Sequence, residues 1–127
     1  MIFLLDTNII VPWINLDYDL ADKINKSDTI YIASVVIGEL YYGAMNSIHI
    51  QKNIDRIDWA IASFPKLKID EITSLEFGKI KAVLKKKGKP IPDNDIWIAA
   101  LTIQHKLTLV TRDKHFAEVT GLHIKHW

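Results

Sequence analysis

In Ile2-Phe3-Leu4-Leu5-Asp6-Thr7-Asn8, four apolar residues run straight into three small polar ones. An unbroken apolar run this short predicts a buried strand over Ile2 to Leu5, ending in a turn at Asp6-Thr7-Asn8. A helix interrupted near Pro12 follows. Thr29 to Ala33 is a second strand, and Ser34 is placed to N-cap a helix reaching about Asn46. From about Ile48 to Phe64, apolar side chains at 54, 57, 61 and 64 predict another helix, stopped by Pro65. Lys66 to Asp70 is a weak strand. Thr73 with Glu76 three residues on resembles a capping box, opening an amphipathic helix that ends at Gly88. Pro90-Ile91-Pro92 is an extended connector before a helix from about Asp93 to Lys106. Thr108 to Thr111 is a strand, a helical turn follows Asp113, and Gly121 precedes a last strand around Leu122 to Lys125. Apolar strands alternating with helices predict an α/β fold with a parallel sheet and helices on both faces.

The chain has 127 residues, which we read as one domain over 1–127. Apolar residues make up 49% and charged residues 24%, a folded composition. No Cys is present, which excludes disulfide scaffolds, zinc fingers, thiol catalysis and iron–sulfur ligation. Sixteen basic and 15 acidic residues leave a formal charge of +1, so a polyanion partner must be held by a local patch. Met1 to Leu5 does not read as a signal peptide, because no cation precedes it and Asp6 ends it. Elsewhere the longest apolar run, Ile30 to Gly38, is about half of what a bilayer requires. A soluble, cytoplasmic protein without membrane contact is expected.

Sites in open parallel sheets form beyond the carboxyl ends of the strands. Asp6 directly follows the first strand, and Asp113 follows Thr111 by two positions. Each can be explained as a helix cap. Glu39 is harder to explain that way. Its helix, Ser34 to Met45, is apolar almost all round, and its neighbours one turn away are Val35, Val36, Tyr42 and Gly43. No cation stands there to pair with it, and an unpaired carboxylate in apolar surroundings is costly. Gly43 leaves open space beside it. Asp95 raises the same question, since two acids within Asp93-Asn94-Asp95 exceed what capping requires. Asp93 is the expected cap and Asp95 the functional carboxylate.

Four acids thus fall at strand or helix ends among apolar neighbours. If they converge, mutual repulsion raises some of their pKa values. Clustered carboxylates without Cys are hard oxygen ligands suited to Mg²⁺ or Mn²⁺, the setting for water activation and phosphodiester cleavage.

Leu5-Asp6-Thr7-Asn8-Ile9 resembles the opening motif of PIN domains. Glu39-Leu40 with Tyr42-Gly43 resembles their second acidic motif, and Asn94-Asp95 leading into Ile98-Ala99-Ala100 the third. Leu109-Val110-Thr111 with Asp113 and Phe116 is similar to the last. The likeness runs through Gly121-Leu122 to Trp127, and it is nearest to VapC-type toxins of bacterial toxin–antitoxin pairs. Glu39 to Ser47 and the closing Gly-Leu-x-x-x-x-Trp resemble the branch that cleaves initiator tRNA. The resemblance implies a PIN-like sheet of about four to five parallel strands. It also implies an Mg²⁺- or Mn²⁺-dependent endoribonuclease, a homodimer, and a cognate VapB-type antitoxin. By position it makes Asp6, Glu39, Asp95 and Asp113 the site acids, with Asp6, Asp95 and Asp113 on the metal. Thr7, Asn8 and Thr111 would orient a carboxylate or a water, and Asp93 is either a variable flank or a fifth acid.

Lys85-Lys86-Lys87-Gly88-Lys89 lies just upstream of Asp93, so Lys86, Lys87 and Lys89 could hold RNA phosphates. A solvated helix end explains them equally well. Arg112 is a single further candidate. His115 reads as a surface residue of the turn, and His123 and His126 as structural or exposed. Trp13, Tyr41, Tyr42 and Trp97 read as core or dimer surface rather than stacking platforms for bases.

Other classes fit less well. A haloacid dehalogenase-type phosphatase requires a second Asp where Asn8 stands, and a receiver domain requires a Lys that has no place here. A non-catalytic module that docks a partner protein remains as the alternative, against which the four unpaired acids speak.

Overall fold

The computed structural model describes residues 1–127. Strand β1 (Ile2–Leu5) leads into α1 (Thr7–Ile14) and α2 (Tyr18–Asn25). Then come β2 (Thr29–Ala33), α3 (Ser34–Met45), α4 (Ile50–Ile61) and β3 (Lys66–Leu67). The chain continues through α5 (Glu71–Lys87), α6 (Asp93–Gln104), β4 (Thr108–Val110), a 3₁₀ turn (Lys114–Glu118) and β5 (Ile124–Lys125).

All five strands are parallel in one sheet, in the order β3-β2-β1-β4-β5. Register places Leu5 opposite Val110, so the loops after β1 and β4 leave the sheet side by side. Leu4 and Leu5, Ile32 and Ala33, and Leu109 and Val110 are all fully buried. Successive strand residues point to opposite faces, so both faces of the sheet are covered, as expected of a parallel sheet. The two edge strands are only two residues each, which limits the exposed edge. Gln104 of α6 reaches Asp70, which caps α5, while Lys81 of α5 reaches Asp93 at the other end of α6. These two helices therefore run antiparallel. No helix is long and apolar enough to cross a membrane.

Several local expectations shift. Helix α1 runs through Pro12 instead of breaking there, since a proline near the end of a short helix removes a single ladder bond. Helix α2 has no counterpart in the sequence reading. It buries only Leu20 and Ile24, too few apolar positions to reveal a period, and Asp17 caps it through the Leu20 N–H. The capping box of α5 lies one turn earlier, between Asp70 and Thr73. Ala33, not Ser34, precedes α3, and Pro92, not Asp93, precedes α6.

Candidate active site

Because β1 and β4 are adjacent and parallel, Asp6 and Thr111 emerge next to each other at their carboxyl ends. The Asp6 N–H extends the ladder by donating to the Val110 carbonyl at 3.0 Å. Thr111, fully buried, donates from Oγ1 to Asp6 Oδ2 at 2.7 Å. The same hydroxyl accepts from the Asp113 N–H at 3.0 Å and from Asn8 Nδ2 at 3.3 Å. Asn8 Oδ1 in turn accepts from the Arg112 N–H at 3.0 Å. One threonine thus ties the loop after β1 to the loop after β4. Asp6 Oδ1 accepts from the Thr7 N–H at 2.8 Å, which caps α1.

Glu39 comes in from α3 and Asp95 from the first turn of α6. Glu39 and Thr7 line a cavity of about 400 Å³ with Asn15, Gly43, Asn53 and Arg56. A Cβ built on Gly43 would meet nothing within 4 Å, so the space expected beside Glu39 is present. Glu39 Oε1 and Thr7 Oγ1 are both buried without a hydrogen-bond partner. A native fold rarely leaves such atoms unsatisfied unless a ligand or ion completes them.

The electrostatics agree with convergence. Burial pushes the Asp6 carboxyl above its ordinary value, against hydrogen bonds from Thr111 and Thr7, and the Asp113 charge adds to the rise. Glu39 is raised by burial, then by the charges of Asp6 and Asp95; the Thr7 hydroxyl opposes this weakly without a well-formed hydrogen bond. Asp95 is pushed up to about 6 by burial and by the charges of Asp6 and Asp113, with His115 pulling the other way. Like charges thus raise Asp6, Glu39 and Asp95, with Asp113 acting on Asp6 and on Asp95. The donor set is oxygen-rich and short of positive charge, which fits a small hard divalent cation.

Asp93 stands apart from this group. It is the first residue of α6, and its carboxylate pairs with Lys81 Nζ at 3.0 Å in solvent. The lysines at the end of α5 lie at the same edge of the molecule as the N-terminus of α6. Lys86 and Lys89 are exposed, whereas Lys87 donates to the Glu118 carbonyl at 3.0 Å. Arg112 is engaged within the fold: Nε donates to the Trp127 carbonyl at 2.9 Å, and the guanidinium lies 3.7 Å from Asp17. Trp97 stacks on Phe77 with ring centroids 3.9 Å apart, and Trp13 lies against Trp59. His126 Nδ1 meets the Thr111 carbonyl at 2.8 Å.

His115 is on the 3₁₀ turn with its side chain 58% exposed, the surface position expected of it, yet it comes close to two of the acids. Its ring Nδ1 lies 3.3 Å from Asp113 Oδ1 and 3.7 Å from Asp95 Oδ2. Its position two residues beyond Asp113 in a tight turn returns the side chain toward the loop it follows.

Residues 3–122 match the family model described as PIN domain. The chain is 32% identical to Ribonuclease VapC2 of Rickettsia felis over all of this chain and 98% of that protein. It is 29% identical to the tRNA(fMet)-specific endonuclease VapC of Salmonella typhimurium, over 98% of this chain and 97% of the relative. Among solved structures, VapBC2 from Rickettsia felis bound to a promoter DNA fragment superposes with a TM-score of 0.94 at 30% identity. That match covers all of this chain and 99% of the other. DNA-bound VapBC from Salmonella typhimurium also gives a TM-score of 0.94, at 28% identity over 100% of this chain and 98% of that one. With a five-stranded parallel sheet, a family match over residues 3–122 and a ribonuclease relative 32% identical over the whole of this chain, the chain belongs to the PIN-domain family, among the VapC ribonucleases.

Proposed function

We propose that this protein is the toxin of a toxin–antitoxin pair and cuts RNA, tRNA in preference, at the site built by Asp6, Glu39, Asp95 and Asp113. The observation that supports the reading is Glu39 Oε1, buried and partnerless, on an acid that the charges of Asp6 and Asp95 raise, with Asp113 acting on both of those. Asp6, Asp95 and Asp113 would hold Mg²⁺ or Mn²⁺. When bound, such an ion lowers the pKa of water and offsets charge that builds on the phosphodiester as it is cleaved. Glu39 Oε1, buried and partnerless, would accept a hydrogen bond from a water in the site. Thr111 holds the Asp6 carboxylate by its Oδ2, and Asn8 holds the Arg112 backbone next to Asp113. Lys86 and Lys89 supply phosphate contacts at the rim, with Lys87 joining them on release of the Glu118 carbonyl. Arg112 fastens the C-terminus by its bond to Trp127, and Asp93 tethers α5 through Lys81.

The partner is an antitoxin of the VapB type. Its docking surface, in our reading, is the groove between α2 and α4 lined by Trp13, Leu16, Tyr18 and Trp59. Tyr18 is 78% and Trp59 75% exposed, unusual for large aromatic side chains without a partner. Ile14 and Arg56 belong both to this groove and to the cavity beside Glu39, so a docked segment can extend toward Glu39. A homodimer would cover further exposed apolar residues such as Tyr42, Met45 and Ile48. The cytoplasm, where tRNA is found, is the compartment that this function requires.

Incubating the purified protein with initiator and elongator tRNAs in Mg²⁺ or Mn²⁺ tests the reading. Cleavage of the initiator in preference supports it, and failure to cut any RNA in either ion refutes it.

A further inference from the structure

His115 follows Asp113 on the 3₁₀ turn, and its backbone N–H donates to Asp113 Oδ1 at 2.9 Å. One ligand atom from each of Asp95, Asp113 and His115 lies within 4.8 Å of the others. For the ring nitrogen Nδ1, the separations are 3.3 Å to Asp113 and 3.7 Å to Asp95. The Asp95 separation exceeds the ~2.7–3.2 Å of a hydrogen bond from nitrogen to oxygen, and the Asp113 separation stands just past its long end. Two donors sharing one ion at about 2.1 Å stand roughly 3 Å apart when cis and roughly 4 Å apart when trans. The His115 spacings fall between those limits. The side chain is 58% exposed, so its other nitrogen, Nε2, can carry the ring proton and be hydrated while Nδ1 keeps its lone pair.

On the metal site proposed above, we propose that His115 Nδ1 is a nitrogen donor to the ion held by Asp95 and Asp113, and that it sets the ion preference of the site. Carboxylates suit Mg²⁺ and Mn²⁺, whereas an imidazole adds affinity for later first-row ions such as Co²⁺ and little for Mg²⁺. This chain therefore discriminates between divalent ions more strongly than four carboxylates would. A different role is open to the same ring: as imidazolium it would stand in for the cation and be displaced by it. Removing His115 would then tighten the binding of every divalent ion.

The full-length protein, titrated calorimetrically with Co²⁺ and with Mg²⁺, separates these roles. The visible absorption of bound Co²⁺, which responds to nitrogen ligation, gives a second readout. We expect His115→Ala to weaken Co²⁺ binding by about 10-fold or more and to shift the Co²⁺ bands, with Mg²⁺ affinity changed less than about 3-fold. His115→Asn should do the same, and serves if the Ala variant melts early in a thermal scan. Equal losses for both ions, no change, or tighter binding would each overturn the role of His115 as a ligand. If the wild type binds neither ion, the metal site itself is refuted. If it binds both and neither substitution matters, only the inference about His115 falls.

Discussion

The Thr111 hydroxyl donates to Asp6 Oδ2 at 2.7 Å while accepting the Asp113 N–H at 3.0 Å, so one buried group positions two acids from separate loops. Thr111→Val keeps the shape and removes both bonds together with the longer one from Asn8 Nδ2. Leaving the Asp113 N–H and Asp6 Oδ2 without this partner should cost about 1–3 kcal/mol of stability, read by urea denaturation. Divalent-ion affinity should fall about 10–100-fold, as for other groups that orient a ligand, and Thr111→Ser should recover most of it. An unchanged affinity in the Val variant would show that Asp6 needs no such support.

The pH dependence of the ion-free protein has a definite sign. The folded-state pKa of Asp95 is raised from 3.8 to about 6, so between those values the folded chain binds more protons than the unfolded one. The stability that Asp95 contributes is fully present below about pH 4 and is lost as pH rises through about 6. Asp6 and Glu39 are raised in the same direction. Thermal scans without metal should show the melting temperature falling across this window, and Asp95→Asn should flatten the fall. Ion binding should show the opposite trend, strengthening from pH 5 to pH 7, because the cation requires the carboxylates ionised.

Asp93 separates a tether from a site acid. Its only charged partner is Lys81, in solvent, where an ion pair adds little. Asp93→Ala should leave RNA cleavage within about 3-fold of wild type, whereas Asp95→Ala should abolish it. The neutral outcome follows from the small worth of exposed pairs. A loss in Asp93→Ala as deep as that in Asp95→Ala, in a folded variant, would place Asp93 among the site acids.

The lysines at the end of α5 should reveal themselves through salt. Each phosphate contact to single-stranded RNA adds about 0.7 to the slope of log affinity against log salt concentration. Lys86→Ala and Lys89→Ala should each lower that slope by roughly this amount and weaken binding without sequence preference. A slope equal to that of wild type would return them to the role of a solvated helix end.

Sequence patterning exposed the strands and most helices because parallel strands buried on both faces read as unbroken apolar runs. Leu4-Leu5 and Leu109-Val110 are such runs. The acids were visible for a related reason: a carboxylate directly after a buried strand, or inside an apolar helix such as that of Glu39, has no local partner to explain it. Their meeting was not visible. It depends on β4 inserting next to β1, a pairing between residues more than one hundred positions apart, for which no local pattern exists. Helix α2 was missed because two buried residues make no period, and the nearness of His115 to Asp95 had no local pattern because the path of a five-residue turn sets it. Asp93 illustrates the converse: its role depends on Lys81, which only the antiparallel packing of α5 on α6 brings near.

The central claim is that Asp6 and Asp95 share a divalent ion on which RNA cleavage depends. Wild type, Asp6→Asn and Asp95→Asn should be melted with and without Mg²⁺ or Mn²⁺, and assayed on total RNA. Saturation to about 100 times the Kd contributes about 2.7 kcal/mol, which should raise the wild-type melting temperature by roughly 10 °C. Both variants should remain folded and lose both the metal-induced shift and the cleavage. Without metal, Asp95→Asn should melt no lower than wild type because one repelling charge is gone. In Asp6→Asn the loss of one of two accepted hydrogen bonds offsets that gain. Variants that keep the shift and cut RNA as wild type does would contradict the assignment and place the activity elsewhere.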